Sequence, residues 1–294
     1  MQVGQKITLS EGIEFLKTVD SNSVDLVLTD PPYITSRETG MDKWVEHVEA
    51  QDMKSSKNVK TIEQWNKYKT PQQWVEFFEK SKFKNKKEVW TAELEKHKNN
   101  FLKYGSIYGK KYAVTTDYGD WDSKFTLESL NEFVAHFYRV LRKGGTGIIF
   151  FDIWKITDLK NILESNKFKQ LRFLEWVKTN PQPLNSSRNY LTNCREIALL
   201  GVKGGNPIFN SKYDNAIYRY PLQGGKDRFH PTQKSLPLFQ DLIAKHSNPG
   251  DLVLDPFSGS GTTAVAAKLT ERNFIGCEVD QKFFDKSVDR LNRS

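Results

Sequence analysis

The sequence predicts an α/β fold: a mostly parallel sheet covered by helices on both faces and interrupted by one helical insertion. Three observations carry this expectation. Short apolar runs alternate with stretches of helical periodicity, the pattern of a sheet buried on both sides. Two of the runs end abruptly in turn chemistry, Asp30-Pro31-Pro32-Tyr33 and Pro256-Phe257-Ser258-Gly259-Ser260-Gly261. Between Arg37 and Tyr118 the alternation stops, and the chain has no glycine between Gly40 and Gly105.

Val24-Asp25-Leu26-Val27-Leu28-Thr29 reads as a buried strand, and Asp30-Pro31-Pro32-Tyr33 ends it. Proline fixes φ and removes a donor, so the backbone turns just where an acidic and an aromatic side chain emerge. Such a turn lies at the carboxyl edge of a sheet, where open α/β sheets bind ligands. A carboxylate and a proline carbonyl there suit the two N–H bonds of a planar amine, with the tyrosine ring on its face. Four residues alone do not separate this from a proline turn with an incidental acid.

The insertion, residues 37–117, contains two amphipathic stretches, around Trp74-Val75-Glu76-Phe77-Phe78 and Val89-Trp90-Thr91-Ala92-Glu93-Leu94. Thr70-Pro71 reads as a helix start, with the threonine as cap and the proline in the first turn. Trp44, Trp65, Trp74 and Trp90 read as helix packing. Lys80, Lys82, Lys84, Lys86 and Lys87 are either a solvated face or phosphate contacts; an insertion that follows a ligand-binding turn favours the second.

The α/β pattern resumes with a helix over 126–141, closed by Gly144-Gly145, and a strand at 146–151. A helix at 158–163 and strands at 171–177 and 197–202 follow. Residues 203–228 read as a short loop in which Tyr213, Tyr218, Arg219, Tyr220 and Arg228 mix charge with rings. That mixture suits a nucleic-acid backbone and its bases; a surface loop packed by its own tyrosines reads equally well. Asp251 to Asp255 is a strand, the glycine loop and a helix at 264–269 come next, and the strand Phe274-Ile275-Gly276-Cys277 ends in Glu278. Glycines at a strand-to-helix turn admit close backbone approach, and an acid ending the next strand is placed for ribose hydroxyls. The loop lacks both the third glycine of a dinucleotide site and the Gly-Lys-Thr of a phosphate loop.

Lys and Arg outnumber Asp and Glu by 44 to 36 in 294 residues, which favours a polyanionic partner. Cys194 and Cys277 are not arranged as a metal site. No apolar run approaches a membrane span, and no signal-peptide pattern opens the chain. A reducing, cytoplasmic setting is the expectation.

Taken in order, these motifs resemble those of S-adenosylmethionine-dependent amino-methyltransferases of DNA, which act on adenine N6 or cytosine N4. The proline-tyrosine turn precedes the glycine loop, as in the circularly permuted group called the beta class. Leu9-Ser10-Glu11-Gly12, Val140-Leu141-Arg142-Lys143-Gly144-Gly145, Trp176-Val177-Lys178-Thr179-Asn180-Pro181 and His230-Pro231-Thr232-Gln233-Lys234-Ser235 are also similar to family segments. The departures are Ser10-Glu11 for the usual Gly-Asp and Ser235 for a proline. The resemblance covers about 5–36 and 118–290.

It implies a Rossmann-like methyltransferase sheet formed by residues 1–36 and 118–294, with 37–117 and 203–228 left for DNA recognition. It implies catalysis by Asp30, Pro31, Pro32 and Tyr33. The cofactor S-adenosylmethionine would be held by Asp30, Asp255, Phe257, Ser258, Gly259, Ser260, Gly261 and Thr262. Glu278 would take the ribose, Glu11 the adenine amine, and Thr232, Gln233 and Lys234 the methionine end. An aspartate at the first motif position is commoner in the adenine subgroup. Adenine-N6 methylation within a restriction-modification system is therefore the expectation, on single- or double-stranded DNA with the base flipped. Cytosine-N4 methylation and a non-catalytic nucleic-acid-binding subunit are the alternatives. A cognate restriction endonuclease and a homodimer are partners that the resemblance leaves open. No metal is called for.

Overall fold

The computed structural model describes residues 4–33, 60–81, 83–104, 107, 125–181, 192–224, 228–230 and 233–294. The chain divides into two compact units, Met1–Ile34 with Tyr118–Ser294, and Thr35–Asp117.

The larger unit is built on an eight-stranded sheet. Its strands are β1 (Gln5–Leu9), β2 (Val24–Thr29), β3 (Leu141–Phe151), β4 (Lys169–Lys178), β5 (Arg195–Val202), β6 (Ile217–Tyr220), β7 (Leu252–Asp255) and β8 (Asn273–Glu278). The spatial order is β1-β8-β7-β2-β3-β5-β4-β6. β5 runs antiparallel to both of its neighbours, and the other strands share one direction. The mostly parallel sheet expected from the sequence is what forms.

Side chains alternate across this sheet, so its central strands feed two cores. Leu26, Leu28, Ile148, Phe150 and Trp176 face one layer with Leu238, Phe239, Leu242 and Ala264 to Ala267. Those helical residues belong to α7 (Leu236–His246) and α8 (Thr262–Leu269), and Leu291 of α9 (Gln281–Arg293) joins them. Val27, Ile149, Phe151 and Leu254 face the other layer, against Phe15 and Leu16 of α1 (Gly12–Lys17). There they meet Phe133, Val134 and Phe137 of α5 (Leu127–Val140), and Leu159 and Leu163 of α6 (Ile156–Ser165). Burial on both sides explains why the strands read as unbroken apolar runs.

Two local expectations differ from the structure. β3 begins at Leu141 and carries Gly144-Gly145 within it. Gly144 takes φ of +80°, where a Cβ would meet the Asn206 carbonyl oxygen at 2.5 Å, and the pairing register with β2 shifts at this point. Residues 203–228 are not one loop, since β6 interrupts them at the outer edge beside β4. Tyr218 is buried and its hydroxyl donates to Asp214, while Tyr220 donates to Asp241. These two tyrosines pack onto the protein itself, whereas Tyr213 is fully exposed.

In the smaller unit, α2 (Ile62–Tyr68), α3 (Pro71–Glu79) and α4 (Trp90–Tyr104) enclose an aromatic core of Trp65, Trp74, Phe78 and Phe101. α2 and α3 each begin with a reciprocal cap, Thr61 with Gln64 and Thr70 with Gln73. Each satisfies two amides that would otherwise be orphaned. Trp44 and Lys82 lie outside the described residues.

Candidate active site

β2 and β7 are adjacent and parallel, so their carboxyl ends lie side by side. β2 delivers Asp30-Pro31-Pro32-Tyr33 and β7 delivers the glycine loop. Thr29 Oγ1 donates to Asp255 Oδ1 at 2.7 Å and fastens the two turns together. β8 and β1 bring Glu278 and Glu11 to the same edge, with Leu9 paired to Glu278 in register. The antiparallel β5 starts where its neighbours end, which adds Glu196 opposite Trp176 of β4, close to Lys178 at that strand's end.

The glycine loop is shaped from within. Asp255 is buried and its carboxylate accepts from Thr29, from the Phe257 amide at 3.0 Å and from Thr263 Oγ1 at 2.6 Å. Burial raises its pKa to about 6 despite these donors. Gly259 and Gly261 take positive φ, +49° and +69°, and Gly261 precedes the first turn of α8. Glu278 closes the loop from β8. Its Oε2 accepts from the Gly259 amide at 2.8 Å and its Oε1 from the amides of Val279 and Asp280, each at 2.9 Å. Gly276 permits this approach: a Cβ there would sit 2.4 Å from the Asp255 carbonyl oxygen and 2.6 Å from Ser258 Oγ. Ser260 and Thr262 are buried, and their hydroxyls lie 3.0 Å apart. Ser258 Oγ donates back to the Asp255 carbonyl, and Phe257 packs on Phe133 with ring centroids 4.5 Å apart. Glu11 is exposed at the end of β1 and caps α1 by accepting from the Glu14 amide at 2.9 Å.

Asp30 has its two carboxylate oxygens in different situations. Lys234 Nζ lies 2.8 Å from Oδ2. Oδ1 is buried and has no hydrogen-bond partner among the described residues. A buried acceptor without a donor is costly. Pro31 is buried behind it, Pro32 is half-buried, and Tyr33 packs edge-on against Phe151 with ring centroids 6.1 Å apart. The Tyr33 hydroxyl is also buried, close to Asp30 and Lys234.

Lys234, which the resemblance implies at the methionine end, directs its ammonium to Asp30 and to Glu196 Oε2, the latter 2.6 Å away. Glu196 Oε1 lies 2.7 Å from Lys178 Nζ. Asp30, Lys234, Glu196 and Lys178 thus form a row of alternating charge. Burial raises the Asp30 pKa, with Glu196 adding to the rise and Lys234 opposing it. Burial alone would discharge Lys234, but Asp30 and Glu196 outweigh it and hold the ammonium well above its ordinary range. For Glu196 the two lysines outweigh burial and keep the carboxyl below its ordinary range. Glu196 carried no signal in the sequence, where it opens an ordinary apolar strand.

Gln233 directly precedes Lys234, and His230 lies beside the glycine loop, its Nε2 3.7 Å from where a Cβ on Gly259 would sit. Gln233 is buried, and its Oε1 accepts from the Phe229 amide at 3.2 Å. His230 stands edge-on to Phe283, 4.3 Å between ring centroids, with its pKa lowered to about 4 by burial. Thr232 lies outside the described residues. Arg219 is exposed in β6, opposite Val177, and Arg228 is half-buried. Lys80, Lys84, Lys86 and Lys87 are exposed in the smaller unit, with the Lys87 ammonium 5.6 Å from the Trp90 ring centroid. Among the described residues, no cluster of His, Cys, Asp and Glu could hold a metal ion. No helix there is long and apolar enough to cross a membrane.

Residues 24–289 match a family model described as DNA methylase. The type II methyltransferase M2.MboI of Moraxella bovis is 33% identical over 206 residues, covering 64% of this chain and 75% of that protein. M2.DpnII of Streptococcus pneumoniae, also a type II methyltransferase, is 33% identical over 217 residues, 65% and 78% of the respective chains. Among solved structures, the M1.HpyAVI complex with S-adenosylmethionine aligns at 39% identity and a TM-score of 0.51, covering 56% of this chain and 83% of that one.

Proposed function

The chain belongs to the DNA methylase family, and on that premise we propose that it transfers the methyl group of S-adenosylmethionine to the N6 amine of adenine in DNA. The observation that carries this reading is the buried, unpartnered Oδ1 of Asp30 at the carboxyl edge of two adjacent strands. An exocyclic amine offers two N–H bonds and a lone pair delocalised into the ring. Oδ1 would accept one N–H and the Pro31 carbonyl the other. Positive charge develops on the nitrogen as it attacks, and an ionised carboxylate in a water-poor site stabilises that charge. Lys234 on Oδ2 favours the ionised form of Asp30 against the rise that burial imposes, and it covers that oxygen alone. Tyr33 would lie against the base, which must leave the duplex stack to reach the site.

S-adenosylmethionine, when bound, supplies an activated methyl group on a sulfonium. The residues suit it. The loop's two left-handed glycines allow close backbone approach of a ligand, and it carries neither the third glycine of a dinucleotide site nor the lysine of a phosphate loop. Glu278 keeps acceptor capacity for ribose hydroxyls beyond its three backbone donors. Glu11 stands at the next strand end, for the adenine amine. Direct in-line transfer then needs alignment rather than a covalent nucleophile. Cys277 is buried inside β8 with its thiol raised far out of the reactive range, chiefly by burial.

The similarity to type II methyltransferases supports a modification role beside a cognate restriction endonuclease. The helical unit would supply DNA contacts through its exposed lysines. The test is incubation with methyl-labelled S-adenosylmethionine and mixed-sequence DNA, followed by digestion to nucleosides and mass spectrometry. Labelled N6-methyladenine is the expected product. Labelled N4-methylcytosine would transfer the reading to cytosine, and an unlabelled digest would remove it.

A further inference from the structure

Glu196 lies outside the motifs that carry the family likeness, yet it is the hinge of the charge row at the site. It opens β5, the antiparallel strand, and so reaches the edge where the parallel strands end. Its side chain is 18% exposed, and both oxygens are used, Oε2 on Lys234 at 2.6 Å and Oε1 on Lys178 at 2.7 Å. Lys234 is more enclosed still, its side chain 8% exposed and its ammonium shared between Glu196 and Asp30 Oδ2. A lysine so placed has two anions and one charge. How it divides between them sets both the direction in which Asp30 points and the strength with which Asp30 holds its own charge.

We infer that Glu196 is a positioning residue for the methyl transfer, drawing Lys234 to one side of Asp30 so that Oδ1 stays open to the amine and the carboxylate stays basic. This rests on the reading of Asp30 as the amine acceptor. Glu196 has two effects through one ammonium. It pulls Nζ toward itself, which leaves a single Asp30 oxygen covered. Its negative charge also offsets part of the lysine's hold on Asp30, in line with the upward influence of Glu196 on the Asp30 carboxyl. Lys178 anchors the far side. The other ionisable groups facing this row are Tyr33 from the turn, Asp255 from β7 and His230 from the segment before α7. The Glu196 carboxylate is paired with the two lysines.

The test is the acid limb of the kcat–pH profile for methylation of DNA by Glu196→Gln, Lys234→Met and wild type, with cofactor affinity measured by calorimetry. In Glu196→Gln the whole lysine charge falls on Asp30, so the limb moves to lower pH by about one unit. At neutral pH kcat drops roughly threefold, and at most tenfold, the Brønsted consequence of a carboxylate about one pK unit weaker as a base. In Lys234→Met the limb moves the opposite way, to higher pH, because Asp30 then meets Glu196 with no cation between them. Cofactor affinity in Glu196→Gln stays at the wild-type value. A purely structural role would lower activity in both variants without moving their limbs in opposite directions. Lys178→Gln provides a variant at the end of the row remote from Asp30, and its limb is expected to move up, less than that of Lys234→Met. An unmoved limb in an active, folded Glu196→Gln or Lys178→Gln overturns the role of Glu196 while leaving Asp30 in place. A wild type that labels no base overturns the reading of Asp30, and the role of Glu196 with it.

Discussion

Asp30 and Asp255 end neighbouring strands and use their carboxylates in opposite ways. Asp255 spends both oxygens on Thr29, Phe257 and Thr263. It shapes the loop, and its pKa of about 6 makes it a pH-dependent cost. Between pH about 4 and 6 the folded protein holds a proton that the unfolded chain has released, so stability falls as pH rises through that window. The loss is complete above the folded value. Asp255→Asn removes this titration. In urea unfolding at pH 4.5 and pH 7, wild type is expected to lose about 2 kcal/mol relative to the variant, the part of a shift of roughly two pK units that falls between those two pH values. Parallel curves for the two proteins would show that Asp255 does not titrate in this range. Asp30, by contrast, keeps one oxygen open, and that difference separates a residue that builds the site from one that works in it.

The elements meet at positions where only one residue type fits. Gly276 lies in the middle of β8 with backbone and Ser258 within 2.6 Å of any added Cβ. Gly276→Ala is expected to cost about 2–3 kcal/mol in thermal or urea unfolding and to weaken cofactor binding, since the loop would be pushed off β8. A variant of unchanged stability would mean that the loop yields. In the helical unit, Thr70→Ala breaks one reciprocal cap and is expected to cost about 1 kcal/mol. The start of α3 at Pro71 was legible because capping is local chemistry. So were the strand ends at Asp30 and Asp255, where an apolar run meets proline or glycine. The direction of β5 was not legible, because an apolar run reads the same both ways and only its partners orient it. β6 was hidden for a related reason: Tyr218 and Tyr220 look like loop aromatics until β4 is placed beside them. Glu196 was invisible twice over, first for the reversed strand and then for lysines 18 and 38 positions away in the chain.

Over the whole molecule, the fold brings together what the chain keeps apart. Thr29 and Asp255 are 226 positions apart and share one hydrogen bond at the centre of the sheet. The formal charge of +8 matches a polyanionic substrate. If Lys80, Lys84, Lys86 and Lys87 contact phosphates, their joint replacement by Gln lowers the slope of log affinity for duplex DNA against log salt by about 3 to 4. An unchanged slope would place the phosphate contacts elsewhere on the chain. The central claim concerns the open oxygen of Asp30, and Asp30→Asn tests it most directly, since it keeps the shape and removes the charge. In single-turnover methylation at saturating cofactor and DNA, the variant is expected to run about a hundredfold or more below wild type. A variant that methylates at the wild-type rate would contradict the assignment of Asp30 to the reacting amine.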